Sequence, residues 1–162
     1  MRDPHLALAL LGVATGGLTV GFGRKGGVLL GAIALAVIVG AVLPTPDAGR
    51  GEPLLALAWG LIIIAAGSLW LPDRLRPHAL NLVIAIVSGG TAGLLGRVAG
   101  VGTLGWFAVA LTFSTVVSIL LARKRSRLPI RVVAGWLVAI GALNATLTIL
   151  PVTPGYLPDH LE

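Results

Sequence analysis

The polar side chains that the sequence places within its apolar stretches are all uncharged. The candidates selected among them are hydroxyls and one amide, at Thr15, Thr19, Ser88, Thr91, Thr112, Thr115, Ser118 and Asn144. Such groups donate and accept hydrogen bonds without ionising near neutral pH. The chemistry available to them is therefore the binding of a small polar solute, or hydrogen bonding between helices.

The spacing of these residues predicts polar stripes on individual helices. Thr15 and Thr19 are four residues apart and Ser88 and Thr91 are three apart, so each pair shares a helix face. One hypothesis is a narrow polar path between the first, fourth, fifth and sixth helices. The alternative is that serine and threonine hydroxyls bond to carbonyl groups of their own or a neighbouring helix. Asn144 is the strongest candidate site residue, because a lone amide in hydrocarbon requires a partner.

Ionisable side chains are absent from the middle of every long apolar stretch. The acids and histidines all fall near the ends of these stretches or between them, at Asp3, His5, Asp47, Glu52, Asp73, His78, Asp159, His160 and Glu162. Proton coupling, acid–base catalysis and metal binding all depend on such groups. The chain also contains no cysteine. We therefore predict no enzyme activity, no metal site and no cofactor.

The composition identifies the solvent that the helices must face. Hydrophobic residues make up 56% of the 162-residue chain, charged residues 11%, and the mean hydropathy is +0.98. A soluble domain typically has about 25% charged residues. Six charge-free stretches contain at least 18 residues each, and about 20 apolar residues cross a bilayer as a helix. We predict an all-α membrane domain over 1–162, a compact bundle of six transmembrane helices at 5–23, 27–43, 54–71, 79–96, 103–122 and 132–150.

The basic residues predict how this bundle is oriented. Nine of the twelve Lys and Arg residues fall in the first, third and fifth loops. Because basic loops stay in the cytoplasm, both termini are predicted to lie outside. Ten arginines against two lysines is typical of GC-rich bacterial and archaeal genomes, so we expect a multi-pass protein of a prokaryotic cytoplasmic membrane.

The densest basic cluster lies between the last two predicted helices. It comprises Arg123, Lys124, Arg125, Arg127 and Arg131. A basic cluster of this kind can bind nucleic acid or anionic lipid. Beside a membrane helix it is interpreted as a topological anchor in contact with anionic headgroups, and no nucleic-acid partner is predicted.

A glycine-rich pattern occurs twice, 73 residues apart. Gly16, Gly17, Gly23, Arg24 and Gly27 recur as Gly89, Gly90, Gly96, Arg97 and Gly100. With three helices per half, a duplication would relate residues 1–72 to residues 73–150 by inverted topology, as in many transporters. The alternative is that the glycines allow close helix packing and that Arg24 and Arg97 extend separately to the interface.

Two functional classes follow from these patterns. The first is transport, as a channel, a permease or the membrane subunit of a transport system for a small solute or ion. The second is a non-transporting subunit that stabilises a larger membrane complex through its glycine-rich faces. The expected partners are the lipid bilayer and, in either class, other membrane subunits or further copies of the chain.

Overall fold

The computed structural model describes residues 3–19, 22, 26–44, 51–72, 77–123 and 128–149. In this part of the chain every regular element is a helix, which confirms the all-α prediction. There are six, namely α1 (Pro4–Gly17), α2 (Gly26–Val42), α3 (Gly51–Ser68), α4 (His78–Ala99), α5 (Gly102–Arg123) and α6 (Leu128–Ile149).

Helix α1 begins with a strong local signal and ends earlier than the predicted span 5–23. The Asp3 carboxylate accepts a hydrogen bond from the His5 N–H at 2.9 Å, and Pro4 occupies the first turn, where its missing N–H costs nothing. The regular helix stops at Gly17, because two consecutive glycines have low helix propensity. A 3₁₀ turn follows, in which the Thr19 hydroxyl donates to the Gly16 carbonyl at 2.7 Å.

Four of the helices are long and apolar enough to cross a bilayer. They are Gly51–Ser68, His78–Ala99, Gly102–Ala122 and Leu128–Leu147. Helices α1 and α2 are also apolar but shorter, at 14 and 17 residues. The chain is thus a membrane-compatible helical protein, and the six predicted crossings require α1 and α2 as well as these four.

Three helices form the centre of the bundle, and each carries one outer helix. Helices α1, α3 and α4 all contact one another, while α5 packs on α1, α2 packs on α4 and α6 packs on α3. The core between them consists of small and branched apolar side chains, including Leu8, Leu11, Ile62, Ala65, Ala85 and Ala92. Helix α1 contacts α3, α4, α5 and α6, so this short helix is surrounded by protein.

Close glycine contacts define the direction of the paired helices. A methyl group at Gly12 would lie 2.6 Å from the Phe107 carbonyl oxygen, and one at Gly16 would lie 2.8 Å from that of Leu111. The contacts advance together along both helices, so α1 and α5 run parallel. Contacts of α4 with α2 also advance together, whereas those of α6 with α3 run in opposite directions.

The exterior of the bundle is apolar. Large exposed side chains lie on the outward faces of the outer helices, including Val28, Leu35, Ile38, Val109, Phe113, Val132 and Trp136. A soluble monomer rarely exposes extended apolar surface of this kind. Helix α2, which has no polar side chain, buries one face against α4 and exposes the other. Such a surface is suited to contact with lipid.

Candidate functional site

Ser114 forms a hydrogen bond between the second half of the chain and the first. Its hydroxyl, on α5, donates to the carbonyl oxygen of Val13 on α1 at 2.8 Å. The helices approach this closely because Gly16 has no side chain; a methyl group there would lie 2.8 Å from both the Leu111 carbonyl oxygen and the Ser114 Cβ. Ser114 adjoins the predicted stripe on α5 but was not itself among the predicted candidates.

Four of the eight predicted polar residues lie near one end of the bundle. Gly17 lies beside Leu69, since a methyl group there would be 3.1 Å from the Leu69 Cδ1. The rings of Phe22 and His78 are 5.1 Å apart between centroids. These contacts bring the end of α1, the end of α3 and the start of α4 together. We define the α1-end cluster as the buried residues within about one or two helical turns of this level, namely Thr15, Thr19, Ser68, Asn81, Ser114, Thr115 and Ser118.

A second set of polar residues lies near the middle of the bundle. Trp59 is nine residues before the end of α3 and Ser88 is ten residues after the start of α4. At about 1.5 Å per residue, both lie at similar distances from the end where these helices meet. A methyl group at Gly141 would lie 3.6 Å from the Trp59 carbonyl oxygen, and Asn144 follows one turn later. Trp59, Ser88 and Asn144 form what we term the middle level.

The middle level is divided by a helix. Ser88 lies on α4 and Asn144 lies on α6, and α3 packs against both of these helices. Helices α4 and α6 have little contact with each other, so no direct packing joins the helix of Ser88 to that of Asn144. The predicted stripes are therefore distributed between the α1-end cluster and the two sides of α3.

Several of the candidate side chains bond to their own helix. The hydroxyls of Thr15, Thr91 and Thr112 donate to the carbonyl groups of Leu11, Val87 and Ala108 at 2.7 to 2.8 Å. The Asn144 amide likewise donates to the Ile140 carbonyl at 2.9 Å. Thr112 is exposed on the outer surface, away from Ser114. These bonds favour a packing role for the groups that make them.

Three buried polar atoms have no hydrogen-bond partner among the residues that the structure describes. They are the indole Nε1 of Trp59 and the hydroxyl oxygens of Ser88 and Thr115. A buried donor without a partner is costly, so these groups are the most available for a solute or for another polar group. Trp59 and Ser88 both belong to the middle level.

Arg97 caps the C-terminal end of helix α2. Its Nη1 donates to the carbonyl oxygens of Ala41 and Val42 at 3.2 Å and to that of Leu43 at 2.8 Å. The last carbonyls of a helix lack partners within the helix and carry partial negative charge. Arg97 satisfies them from α4, which the sequence pattern did not indicate.

The other predicted basic residues are placed only in part. Arg131 is exposed in the first turn of α6. Arg24, Lys124, Arg125 and Arg127 lie outside the described residues, as does the side chain of Arg123. The described residues contain no group of three His, Asp or Glu side chains arranged to hold a metal ion.

Several buried polar residues were not selected from the sequence, among them Ser68, Asn81, Trp59 and Thr103. Ser68 lies at the end of α3, where its hydroxyl donates to the Ala65 carbonyl at 2.7 Å. Asn81 lies seven residues before Ser88, a spacing that puts both on one helix face and was available as a signal. Nothing in the sequence marks the indole N–H of Trp59 as unpartnered.

Comparison with known protein families, with curated proteins and with solved structures finds no match to this chain. Its function is therefore argued from the arrangement of its own residues.

Proposed function

We propose that this chain is a transport protein of the cytoplasmic membrane, or the membrane subunit of a transport system, with no enzyme activity of its own. Its cargo is a small solute or ion. In this proposal all six helices cross the membrane, both termini lie outside, and two three-helix halves have opposite orientations. The relation between two helix pairs carries the proposal.

Exchanging the halves of the chain exchanges its two most extensive helix contacts. When the helices of the second half are matched to those of the first in chain order, α4 corresponds to α1, α5 to α2 and α6 to α3. The packing of α1 on α5 then corresponds to that of α4 on α2, and both pairs run parallel. Exchanging the halves swaps α3 with α6, so the contact between these two helices is retained. Two halves of opposite orientation lead to this pattern, whereas independent glycine packing gives no reason for it.

Local details at corresponding positions support the same relation. Helices α1 and α4 begin 74 residues apart, α2 and α5 begin 76 apart, and α3 and α6 begin 77 apart. Thr15 and Ser88, 73 residues apart, each precede two glycines and are both wholly buried. Gly16 meets the α5 backbone, and its counterpart Gly89 meets the α2 backbone, where a methyl group would lie 2.8 Å from the Ile33 carbonyl oxygen.

The correspondence is incomplete at the third helix of each half. Helix α3 packs against both α1 and α4, while α6 packs on α3 and has little contact with α1. The helices of the second half are also longer, at 22 residues each. A solute path in this arrangement lies between α1, α3 and α4, with the α1-end cluster at one end and Ser88 of the middle level farther in.

Solute flux into liposomes tests this proposal directly. We expect the reconstituted protein to pass one of a panel of small solutes and ions faster than protein-free liposomes do. Ser88→Ala should slow that flux about tenfold, the factor produced by about 1.4 kcal/mol in a barrier. Thr146→Val is the matched control, because Thr146 is exposed on α6 and bonds to the Ala142 carbonyl of its own helix.

A non-transporting subunit is the alternative function. It is favoured by the bonds that Thr15, Thr91 and Thr112 make within their own helices. Flux equal to that of protein-free liposomes across the whole panel would reject transport by the isolated chain. Purification of the intact chain with its bound membrane proteins would then test the subunit function.

A further inference from the structure

Thr15 lies on the side of α1 that is turned away from α6. Val13 and Gly17 line an apolar groove between α1, α5 and α6, and Gly17 also packs beside Leu69 of α3. Thr15 is two residues from both Val13 and Gly17, which is about 200° around a helix, and it is wholly buried. Because α1 is surrounded by α3, α4, α5 and α6, the helices that cover Thr15 are α4 and α5.

Thr115 occupies the equivalent side of α5. Phe113 and Val117 line the same groove, and Thr115 is two residues from both, yet it is only 6% exposed. Leu104 precedes Thr115 by eleven residues, about three turns, and therefore lies on the same face of α5. A methyl group at Gly96 of α4 would overlap the Leu104 side chain. Thr115 thus faces α4, which contacts both α5 and α1.

The contact between α1 and α5 brings three threonines to one level. A methyl group at Gly16 would lie 2.8 Å from the Ser114 Cβ. Thr115 follows Ser114, so it lies beside the segment of α1 between Thr15 and Thr19. Thr19 is four residues after Thr15 and is also buried. We term Thr15, Thr19 and Thr115, at the junction of α1, α4 and α5, the three-threonine site.

The oxygen atoms of this site are available mainly as acceptors. The Thr15 hydroxyl donates to the Leu11 carbonyl and the Thr19 hydroxyl to the Gly16 carbonyl, both at 2.7 Å. A hydroxyl has one proton and two lone pairs, so these two oxygens retain lone pairs and no proton to donate. The Thr115 hydroxyl oxygen has no partner within the described part of the chain. An anion would find one donor here, whereas a cation finds three oxygens.

The end of α1 adds negative potential at the same place. Its regular helix stops at Gly17, between the two threonines of α1, and the last carbonyl groups of a helix carry partial negative charge. Ends of interrupted membrane helices coordinate sodium in several transporters. We predicted no metal site because acids and histidines are absent from the middle of the apolar stretches. That reasoning applies to ions such as calcium and magnesium, which take carboxylate ligands, and neutral oxygens suit a monovalent cation.

We propose that the three-threonine site binds one alkali-metal cation. The three hydroxyl oxygens coordinate the ion, and the C-terminal end of α1 offsets part of the cost of burying its charge. The site requires only the folded bundle, so it does not depend on whether the chain transports a solute.

Thermal unfolding in three salts tests the site. The intact protein in one detergent is melted in equal concentrations of choline chloride, sodium chloride and potassium chloride. An ion that binds only the folded state raises the melting temperature. We expect sodium or potassium to raise it by about 3–6 °C over choline at ten times the dissociation constant. Thr115→Val, which keeps the shape of the side chain, should abolish the rise. Thr112→Val is the matched control, because Thr112 is exposed on the same helix and bonds to its own helix.

A second pair of variants serves if Thr115→Val does not fold. Thr15→Ser keeps the hydroxyl oxygen and should keep the rise, whereas Thr15→Val should lose it. Equilibrium dialysis with radioactive sodium or the potassium analogue rubidium should then count one ion per wild-type chain. Equal melting temperatures of the wild type in all three salts would overturn the proposal, and would leave at most a buried water at the site. An equal rise in Thr115→Val and Thr112→Val would overturn it as well.

Discussion

The Nη1 atom of Arg97 lies 2.8 Å from the carbonyl oxygen of Leu43, and it also contacts the carbonyls of Ala41 and Val42. One side chain on α4 thereby satisfies three backbone acceptors at the end of α2. The contact joins two helices whose remaining interface is apolar and glycine-rich. Arg97 is thus a specific polar link between the first and second halves of the chain.

Removal of this guanidinium should loosen the end of α2. We expect Arg97→Gln to destabilise the protein by about 1 kcal/mol, less than the roughly 1.5–3 kcal/mol of hydrogen bonds to charged groups, because Arg97 is exposed. The melting temperature in a fixed detergent should then fall by about 2–4 °C. Arg131→Gln, at an exposed position in the first turn of α6, is the control and should leave the melting temperature unchanged. Equal melting temperatures for the two variants would show that the capping contact contributes no stability.

Gly31 and Gly93 each follow another glycine by four residues, Gly27 and Gly89. Substitution by alanine should nevertheless change the free energy of unfolding in different ways at the two positions. A methyl group at Gly93 would overlap the Val37 carbonyl oxygen and lie 2.8 Å from the Ala41 nitrogen, while one at Gly31 meets nothing within 4 Å. We expect Gly93→Ala to cost about 1–3 kcal/mol through overpacking. Gly31→Ala should be neutral or stabilising by up to about 1 kcal/mol. Thermal unfolding of both variants in one detergent measures the difference, and a stable Gly93→Ala would contradict the close contact of α4 with α2.

The hydroxyl of Ser114 should contribute more stability than that of Thr112 on the same helix. Ser114 donates to Val13 across helices, whereas Thr112 donates to Ala108 of its own helix on the exposed surface. Interhelical hydrogen bonds in membrane proteins contribute about 0.6 kcal/mol on average and about 1.7 at most. Ser114→Ala should lose a value in this range, and Thr112→Val should lose none. Denaturant unfolding from micelles provides the comparison, in which an equal loss would remove the case for an α1–α5 hydrogen bond.

The proposed orientation predicts which single cysteines a membrane-impermeant maleimide can reach. The chain has no native cysteine, so each substitution gives one reactive site. Val101 and Leu128 are similarly exposed, at 79% and 74%, and lie at the ends of helices that meet opposite membrane faces in the six-crossing topology. In intact cells Val101→Cys should be labelled and Leu128→Cys should be labelled only after lysis. The reverse result would invert the topology, and labelling of both from outside would reject it.

The packing of α1 on α5 was not predicted from the sequence, although the helices themselves were. The charge-free stretches determine that the chain is helical and suited to a membrane, because backbone groups in hydrocarbon must be bonded within each segment. Helices α4 and α5 begin within one residue of the positions predicted for them. Pro77 precedes α4 and the positive-φ Gly100 precedes α5, whereas α1 ends at its glycine pair, Gly16 and Gly17, with no charge before Arg24.

Only the tertiary structure decided which helix faces pack together. Gly31 and Gly93 each follow another glycine by four residues. A methyl group at Gly31 would meet no neighbouring atom, whereas one at Gly93 would meet the backbone of α2. Thr112 and Ser114 are two residues apart, yet one faces the exterior and the other faces α1. In a soluble helix a polar face would identify the inside, but here α2 is apolar on every side and lipid and protein neighbours are equally apolar. Steric fit between backbones, which the linear sequence does not encode locally, determines the pairing.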